Sequence, residues 1–488
     1  MGATKTTYDL IVTGTGFAST FFLKKYLEKS GPDKKVLVIE RGQLFPYTDR
    51  IAYAQGKNPV YLDKMESHDD SFINTNKVKP WLFDVNFGGS SNCWWGCTPR
   101  FMPNDFAMKT LYGQAIDWPI TYNELEPYYC EAESIINIAG PEHTPFPKSQ
   151  PYPLPAHALS TVDLKMQKAY GNTQWVSQPA ARASKVLSTR NACCSSYTCN
   201  LCPANAKFTI ENGLRNTVYT DPRVELKEGL QVYKVEFAGN VAKGVVCVNR
   251  LHPDLNNPEV FEGNIIALGA NAIFNPHILL SSGDKNPFVG KGLSEQCGFF
   301  TDIHIGMSNV GGGSSISANG YMQYDGDFRK NSSSVLIENH NQAFVRNEKG
   351  KWRHMARFKF VLESIPDLSN NVVKLSDNPL KPLVEYKELN DYVINGRKRI
   401  EGEMNKIFAP LDIEEIIVDK AYTDTECHVL SSARMGKDAS ESVVDKHMIH
   451  HQYRNLFVLG GSSFPTISAA NPTLTISALS LMSADKNF

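Results

Sequence analysis

The 488-residue chain has no excess of either charge, no run long enough to cross a bilayer, no internal repeat and no low-complexity tract. Its 50 Lys and Arg stand against 51 Asp and Glu, a formal charge of -1. That removes the electrostatic footprint a nucleic acid or an anionic membrane would require of a partner. Without an apolar span of about 20 residues, no transmembrane helix is expected. No apolar segment precedes the first strand either, since MGATKTTYDL enters it at once. The chain is therefore expected to carry no secretion address of its own and to work in the cytoplasm. MGATKT superficially resembles an N-myristoylation motif, but a disordered start is the reading adopted. Ten cysteines in a chain without a signal segment do not suggest a disulfide framework. Hydrophobic residues make up 42%, ordinary for a globular protein, and the length allows two or three domains around a large core.

What the chain does have is concentrated first in residues 8–41. Tyr8-Asp9-Leu10-Ile11-Val12 is an apolar run of strand length. Gly14 and Gly16 follow, then an amphipathic stretch from Ser19 to Lys29 with Phe22, Leu23, Tyr26 and Leu27 at helical spacing. A second apolar run, Val36-Leu37-Val38-Ile39, ends on Glu40 and Arg41. Strand, tight turn, helix and acid-terminated strand are the parts that hold a dinucleotide. The glycines let backbone approach a pyrophosphate, the helix N-terminus faces its charge, and the acid accepts the ribose hydroxyls. Ser19 replaces the usual third glycine and is small enough for close helix–strand packing. Glu40 favours an unphosphorylated ribose, hence NAD or FAD over NADP.

Further along, NFGGSSNCWWGCTPRF (86–101) sets Gly88, Gly89, Ser90, Ser91, Asn92 and Cys93 beside Trp94 and Trp95. Such a loop can lie flat against a planar ligand, and two adjacent tryptophans argue for burial. Thr121 to Ile138 reads as a helix with Glu124 completing a capping box, broken or kinked at Pro127. Residues 140–155 form a proline-rich linker. Val224 to Asn249 reads as paired strands around a turn at Ala238-Gly239-Asn240. Asn264 to Ala270 is another buried strand meeting a glycine turn at Gly269, and leads into a helix over Pro276–Leu280. Phe300 to Leu411 alternates apolar and polar residues with little helix signal, which suggests an antiparallel sheet. Asn455 to Gly461 is again a strand, and Thr473 to Asp485 a helix. His447, His450 and His451 lie in a polar connection and read as solvated loop residues.

In their order these motifs resemble the glucose–methanol–choline (GMC) oxidoreductase family, over most of the chain. The segments that carry the likeness are the Gly14/Gly16 turn with Glu40, the 86–101 loop, IIALGANAIFNPHILLSSG, CHVLSSARMG (427–436) and SAANPTLT (468–475). The last two resemble pyranose oxidase and the bacterial FAD-dependent sugar dehydrogenases in particular. The resemblance implies an α/β fold: a discontinuous Rossmann-type FAD-binding domain (1–115, 203–300 and 420–488) with an inserted antiparallel-sheet substrate domain (116–185 and 301–419). It implies FAD held by Gly14, Gly16, Glu40, Arg41, Gly88 to Trp94, Val232, Gly269, Gly461, Asn471, Pro472 and Thr473. It also implies oxidation of an alcohol. That chemistry removes a hydride from carbon, taken by the flavin, and a proton from oxygen, which needs a base of near-neutral pKa. The family's histidine and its histidine-or-asparagine fall on His428, read as the base, and Asn471, read as the amide that orients the hydroxyl. Where pyranose oxidase carries a histidine covalently bound to flavin, this chain has Cys93. It is read as a small residue facing a non-covalently held flavin, with a thiolate linkage as the alternative.

Residues 186–206 gather Cys193, Cys194, Cys199 and Cys202, followed by Pro203. Adjacent cysteines do not make the paired knuckles usual for zinc, whereas iron–sulfur clusters accept compact loops followed by proline. Zinc or a disulfide pair remain alternatives. The bacterial sugar dehydrogenases carry a cluster in a similar loop, so the resemblance implies a [3Fe-4S] or [4Fe-4S] centre passing electrons to a cytochrome or quinone. A small partner subunit that carries the folded enzyme to the periplasm is also implied. Three functions follow: a dehydrogenase for a sugar, glycoside or cyclitol; an oxygen-using oxidase with a structural cysteine loop; or a flavoprotein scaffold with a vestigial site, against which intact His428 and Asn471 argue.

Overall fold

In a computed structural model, which describes residues 7–57, 70–387 and 389–488, the chain builds two principal sheets that share one large core. The N-terminal MGATKT segment and part of the polar stretch after Glu40 lie outside the described residues.

The seven-stranded sheet is assembled from distant parts of the chain. Thr7–Thr13 pairs in parallel with Val36–Glu40 on one side and with Glu259–Leu268 on the other. Val224–Glu228 extends it beyond Val36–Glu40, again in parallel. Glu259–Leu268 changes partner along its length. Its first residues run antiparallel to Val241–Asn249, and its last, Ile266 to Leu268, run parallel to Leu456–Val458. The central strands are apolar and buried on both faces, as parallel strands covered by helices must be. Helices Phe17–Lys29 and Thr473–Asn487 pack together on one face, joined by Phe22 and Tyr26 against Phe488.

The six-stranded sheet is antiparallel throughout, in the order Ile413–Val418, Cys297–Ile305, His354–Leu362, Val335–Val345, Ile316–Gly320, Trp175–Ser177. Period-2 alternation divides its side chains. Ala318, Ile337, Phe358 and Phe360 face a second core, which Val393, Ile400, Met404 and Ile407 of helix Asp391–Ile407 close. Val176, Tyr321, Leu336 and Val361 face the large core instead. A five-stranded sheet, from Leu430–Ser432 to Ile73–Asn74, lies alongside.

Several expectations need correction. Pro127 neither breaks nor splits its helix, which runs from Tyr122 to Ile136. The Thr121–Glu124 box caps it, and buried Leu125, Tyr129, Ala132 and Ile136 offset the one missing backbone donor. The helix Asp391–Ile407 stands inside the stretch read as sheet. Gly396 lets it approach the sheet, where an added Cβ would fall well inside contact distance of Ser333 Oγ. His450 is not solvated: it is 1% exposed, its Nε2 lies 2.9 Å from Asp284, and its Nδ1 accepts from Gln452 and Tyr453 N–H. Trp95 is 40% exposed, whereas Trp94 is half-buried with its indole N–H donating to Phe208 O.

Candidate active site

The two glycine-rich turns meet. Gly14 has φ +81°, and a Cβ there would stand 2.8 Å from Gly269 O, so this glycine is demanded by the protein's own backbone. Gly269 in turn closes on Ser19, whose hydroxyl donates to Thr13 O. Gly16 differs: an added Cβ meets nothing within 4 Å. It precedes helix Phe17–Lys29, whose N-terminus has no side-chain cap and no acid in its first turn. Thr15 joins the turns, its hydroxyl accepting from Gly88 N–H at 2.8 Å and donating to Glu40 at 2.6 Å. Gly89 lies against Gly16. Glu40 also accepts from Thr15 N–H and Gly42 N–H, and burial pushes its carboxyl up to about 7. A carboxylate has about four acceptor sites, so one remains for a ligand hydroxyl.

Next to Asn92, Cys93 is exposed, and its surroundings desolvate its thiol and push it up to about 12, with Asp84 assisting and the Lys207 ammonium opposing. Cys427, also exposed, is near enough to act on it electrostatically. The segment bearing His428 therefore faces the glycine-rich loop. Gly461 packs beneath that segment, where a Cβ would stand 2.6 Å from Leu430 Cδ2.

His428 is oriented by a residue that the sequence reading missed. Gln296 Nε2 donates to Ser468 O at 2.9 Å and to Ala470 O at 2.8 Å. Its Oε1 is thereby aimed at His428 Nδ1, 2.9 Å away. An amide oxygen can only accept, so Nδ1 carries the proton and Nε2 presents a free lone pair. Burial lowers the imidazole to about 4, with the Glu426 carboxylate opposing and the Lys359 ammonium assisting, so the ring is neutral near pH 7. Gln296 also ties His428 to the segment bearing Asn471. Asn471 Oδ1 is buried with no hydrogen-bond partner among the described residues. Pro472 caps helix Thr473–Asn487 without a side-chain bond, which leaves that N-terminus open too.

Of the other predicted positions, Arg41 lies 5.0 Å from the Phe274 ring. Ser91 Oγ accepts from Ile210 N–H, and Asn92 Nδ2 donates to Asp84 and to Phe87 O. Val232 is a buried core residue.

The cysteine loop adjoins the Asn92–Cys97 backbone through Lys207 and Arg182, which bond to both. All four thiols are free, and no three Cys, His, Asp or Glu side chains converge on one point among the described residues. Cys199 Sγ is 2.9 Å from Ser315 Oγ, and Cys202 Sγ accepts from Ala206 N–H at 3.4 Å. Two buried cations adjoin the loop, again unpredicted. Arg182, 1% exposed, donates to Trp95 O, to Gln178 Oε1 and to Cys199 Sγ at 3.6 Å. Lys207, 2% exposed, donates to Asn92 O, Trp94 O and Asn200 O. Neither forms an ion pair with a carboxylate among the described residues, and burial pulls Lys207 down to about 7.

Residues 385–480 match the family model described as GMC oxidoreductase. They are a GMC oxidoreductase domain. Among curated relatives, the fructose dehydrogenase large subunit of Gluconobacter japonicus is 26% identical, over 98% of this chain and 97% of its own. The 6'''-hydroxyparomomycin C oxidase of Streptomyces lividus is 24% identical, over 98% and 91%. Among solved structures, pyridoxine 4-oxidase from Mesorbium loti superposes with a TM-score of 0.67 at 17% identity, covering 98% of this chain and 99% of its own. That likeness shows the fold.

FAD is the cofactor this family implies, and the residues present fit it. An uncapped helix N-terminus and a glycine facing open space beside the glycine-rich loop are features that the protein itself does not fill.

Proposed function

We propose that this GMC oxidoreductase is an FAD-dependent dehydrogenase that oxidises a hydroxyl of a sugar, glycoside or cyclitol. The observation that carries it is the fixed tautomer of His428. Gln296 holds Nδ1–H, so Nε2 is an unprotonated acceptor, and the same Gln296 bonds to Ala470 O, next to Asn471, whose Oδ1 is unpartnered among the described residues. When bound, the flavin supplies the hydride acceptor. His428 Nε2 accepts the hydroxyl proton as the carbon-bound hydrogen leaves, and Asn471 holds the hydroxyl in line. The named activities of the relatives, on fructose and on hydroxyparomomycin C, agree with a polyhydroxylated substrate. His428→Ala should retain flavin and slow its anaerobic reduction on the order of 100-fold or more, typical of a lost general base. Full flavin loading with an unchanged rate would remove His428 from the mechanism.

A finer part of the proposal concerns the electrons. Arg182 and Lys207 are basic groups buried without an ion-paired carboxylate among the described residues, a costly arrangement that a further anion would relieve. The groups beside them are thiols. Cys193, Cys194, Cys199 and Cys202 holding an iron–sulfur cluster, [3Fe-4S] or [4Fe-4S], would supply that anion. It would also give a one-electron path to a cytochrome or quinone. The named oxidases among the relatives favour the second reading, oxygen as acceptor and a structural loop. Iron and acid-labile sulfide per chain, in protein purified without oxygen, separate the two. A small partner subunit, and the periplasm in place of the cytoplasm, belong to the relay reading; one relative is named as a large subunit.

A further inference from the structure

The six-stranded sheet turns an unusual row of side chains toward the large core. Asn319 and Glu338 are register partners on neighbouring strands, and Lys359 is the partner of Glu338 on the next. All three lie on the face opposite Ala318, Ile337 and Phe358, which fill the second core. Lys359 is neutralised by Glu426, at 2.5 Å, two residues before His428. Glu338 makes no ion pair among the described residues: burial raises its carboxyl to about 7, with Lys359 and Arg182 opposing and Glu426 assisting. It is 3% exposed, and its Oε1 finds no hydrogen bond among the described residues. Asn319 is fully buried with both amide atoms unpaired, and the neighbouring Tyr321 hydroxyl is unpaired as well. Beside them, His340 has an unpaired Nε2 and lies 6.0 Å, ring to ring, from Trp95 of the glycine-rich loop.

Buried polar groups are normally satisfied, and each exception calls for an explanation. Here several exceptions share one sheet face. That face is bounded by the glycine-rich loop at Trp95 and by the His428 segment at Glu426. We propose that Glu338, Asn319 and Tyr321 form a hydroxyl-reading wall of the substrate site, which holds a compact molecule with adjacent hydroxyl groups against His428. A carboxylate accepts from two neighbouring hydroxyls, an amide both donates and accepts, and a phenol completes the set. A simple alkanol would leave these groups unpaired, and sites built for hydroxyls reject analogues that lack them. The inference deepens the proposed sugar oxidation and rests on that reading for the position of the reacting hydroxyl.

The test uses flavin-loaded protein without oxygen. D-Glucose, D-fructose and myo-inositol, each with a monodeoxy analogue, are titrated while the flavin spectrum and its reduction are followed. Wild type is expected to prefer a parent polyol over its deoxy analogue by at least tenfold in apparent affinity. Glu338→Ala and Asn319→Ala should weaken the parent about tenfold, leave the limiting reduction rate within threefold, and abolish the preference. Glu338→Gln should recover part of it, because an amide oxygen still accepts; no recovery, with glucosamine preferred by wild type, would mark an ammonium clamp and overturn the proposal. Ligand-free Asn319→Leu should melt higher than wild type, since an unpaired buried amide is removed; a lower melting temperature would point to a structural role and also overturn it. If polyols reduce the flavin and the Glu338 and Asn319 variants keep the preference, the wall is wrong and the proposed oxidation stands. If polyols perturb the flavin in a Glu338-dependent way without reducing it, the wall stands and the oxidation fails.

Discussion

The His428 segment and the cysteine loop both adjoin the same short backbone, Asn92–Cys97, and they are prepared in different ways. The His428 ring is oriented by a neutral dipole, within reach of the Glu426 and Lys359 charges. Gln296 spends both amide hydrogens on Ser468 and Ala470 and turns its oxygen to His428, so the base is set before any substrate arrives. Around the loop the organising groups are charges. Arg182 and Lys207 are buried among carbonyls and thiols and form no ion pair among the described residues, although Glu338 is near enough to Arg182 to feel its charge. A site built from dipoles suits a neutral polyol and a reaction in which a proton moves once. A site built from uncompensated cations suits a resident anion.

The strongest way to break the comparison is to deprive the cleft of its cofactor without disturbing the fold. Gly16→Ala puts a methyl group into open space, at an ordinary backbone angle of φ -73°. It should fold normally and lose flavin affinity on the order of 100-fold, as expected if two charge-assisted contacts of about 1.5 kcal/mol each are blocked. Gly14→Ala instead strikes Gly269 O and should lower stability itself. Flavin content and melting temperature together distinguish the two. A Gly16→Ala protein that is fully yellow would mean that this turn cradles nothing.

A smaller effect sharpens the dipolar half. Gln296→Leu removes the acceptor that holds Nδ1–H, so the imidazole can take the wrong tautomer. Flavin reduction should slow on the order of tenfold, less than for outright loss of the base. In wild type, His428 is lowered to about 4 by burial, and a base works only when unprotonated. The reduction rate should therefore be flat from pH 6 to 8 and fall only as the pH drops toward 4. A limb near 6.5 would show an exposed, ordinary imidazole and contradict the enclosed geometry.

Legibility in the sequence followed the range of the cause. Gly14, Gly16 and Gly88 serve tight local turns, and the strand–turn–helix pattern around them is visible in a dozen residues. The helix Asp391–Ile407 was hidden because its buried positions are sparse and Gly396 interrupts them, although Gly396 is what allows it to reach Ser333. Gln296 acts on a residue 132 positions away, and no spacing rule marks it. Glu338 and Asn319 sit among other polar residues, as on a solvated strand face, and only the assembled sheet shows that their face is inward. Arg182 and Lys207 look like surface charges until the strands of backbone around them close. His450 was misread for the same reason: a polar loop sequence conceals a buried ring whose Nε2 meets Asp284.

The smallest effect, and the sharpest on the charged half, is a slope in stability. Folded Lys207 gives up its proton near 7, whereas an unfolded lysine keeps it to 10.5. Between those values the unfolded chain binds more protons, so raising the pH favours the folded state, by up to about 1.4 kcal/mol per pH unit. Iron-free protein should therefore gain stability from pH 7 to 8.5, measured by urea unfolding, and Lys207→Met should lose that gain. An anion resident in the cysteine loop would hold the ammonium charged and raise its pKa, moving the slope to higher pH. Protein purified with iron should then be nearly flat over the same range. Equal slopes with and without iron would detach Lys207 from the loop and leave the buried cations without an anionic partner there. That outcome would return the balance to oxygen as the acceptor, because the charged half of the comparison would no longer be arranged around an electron carrier.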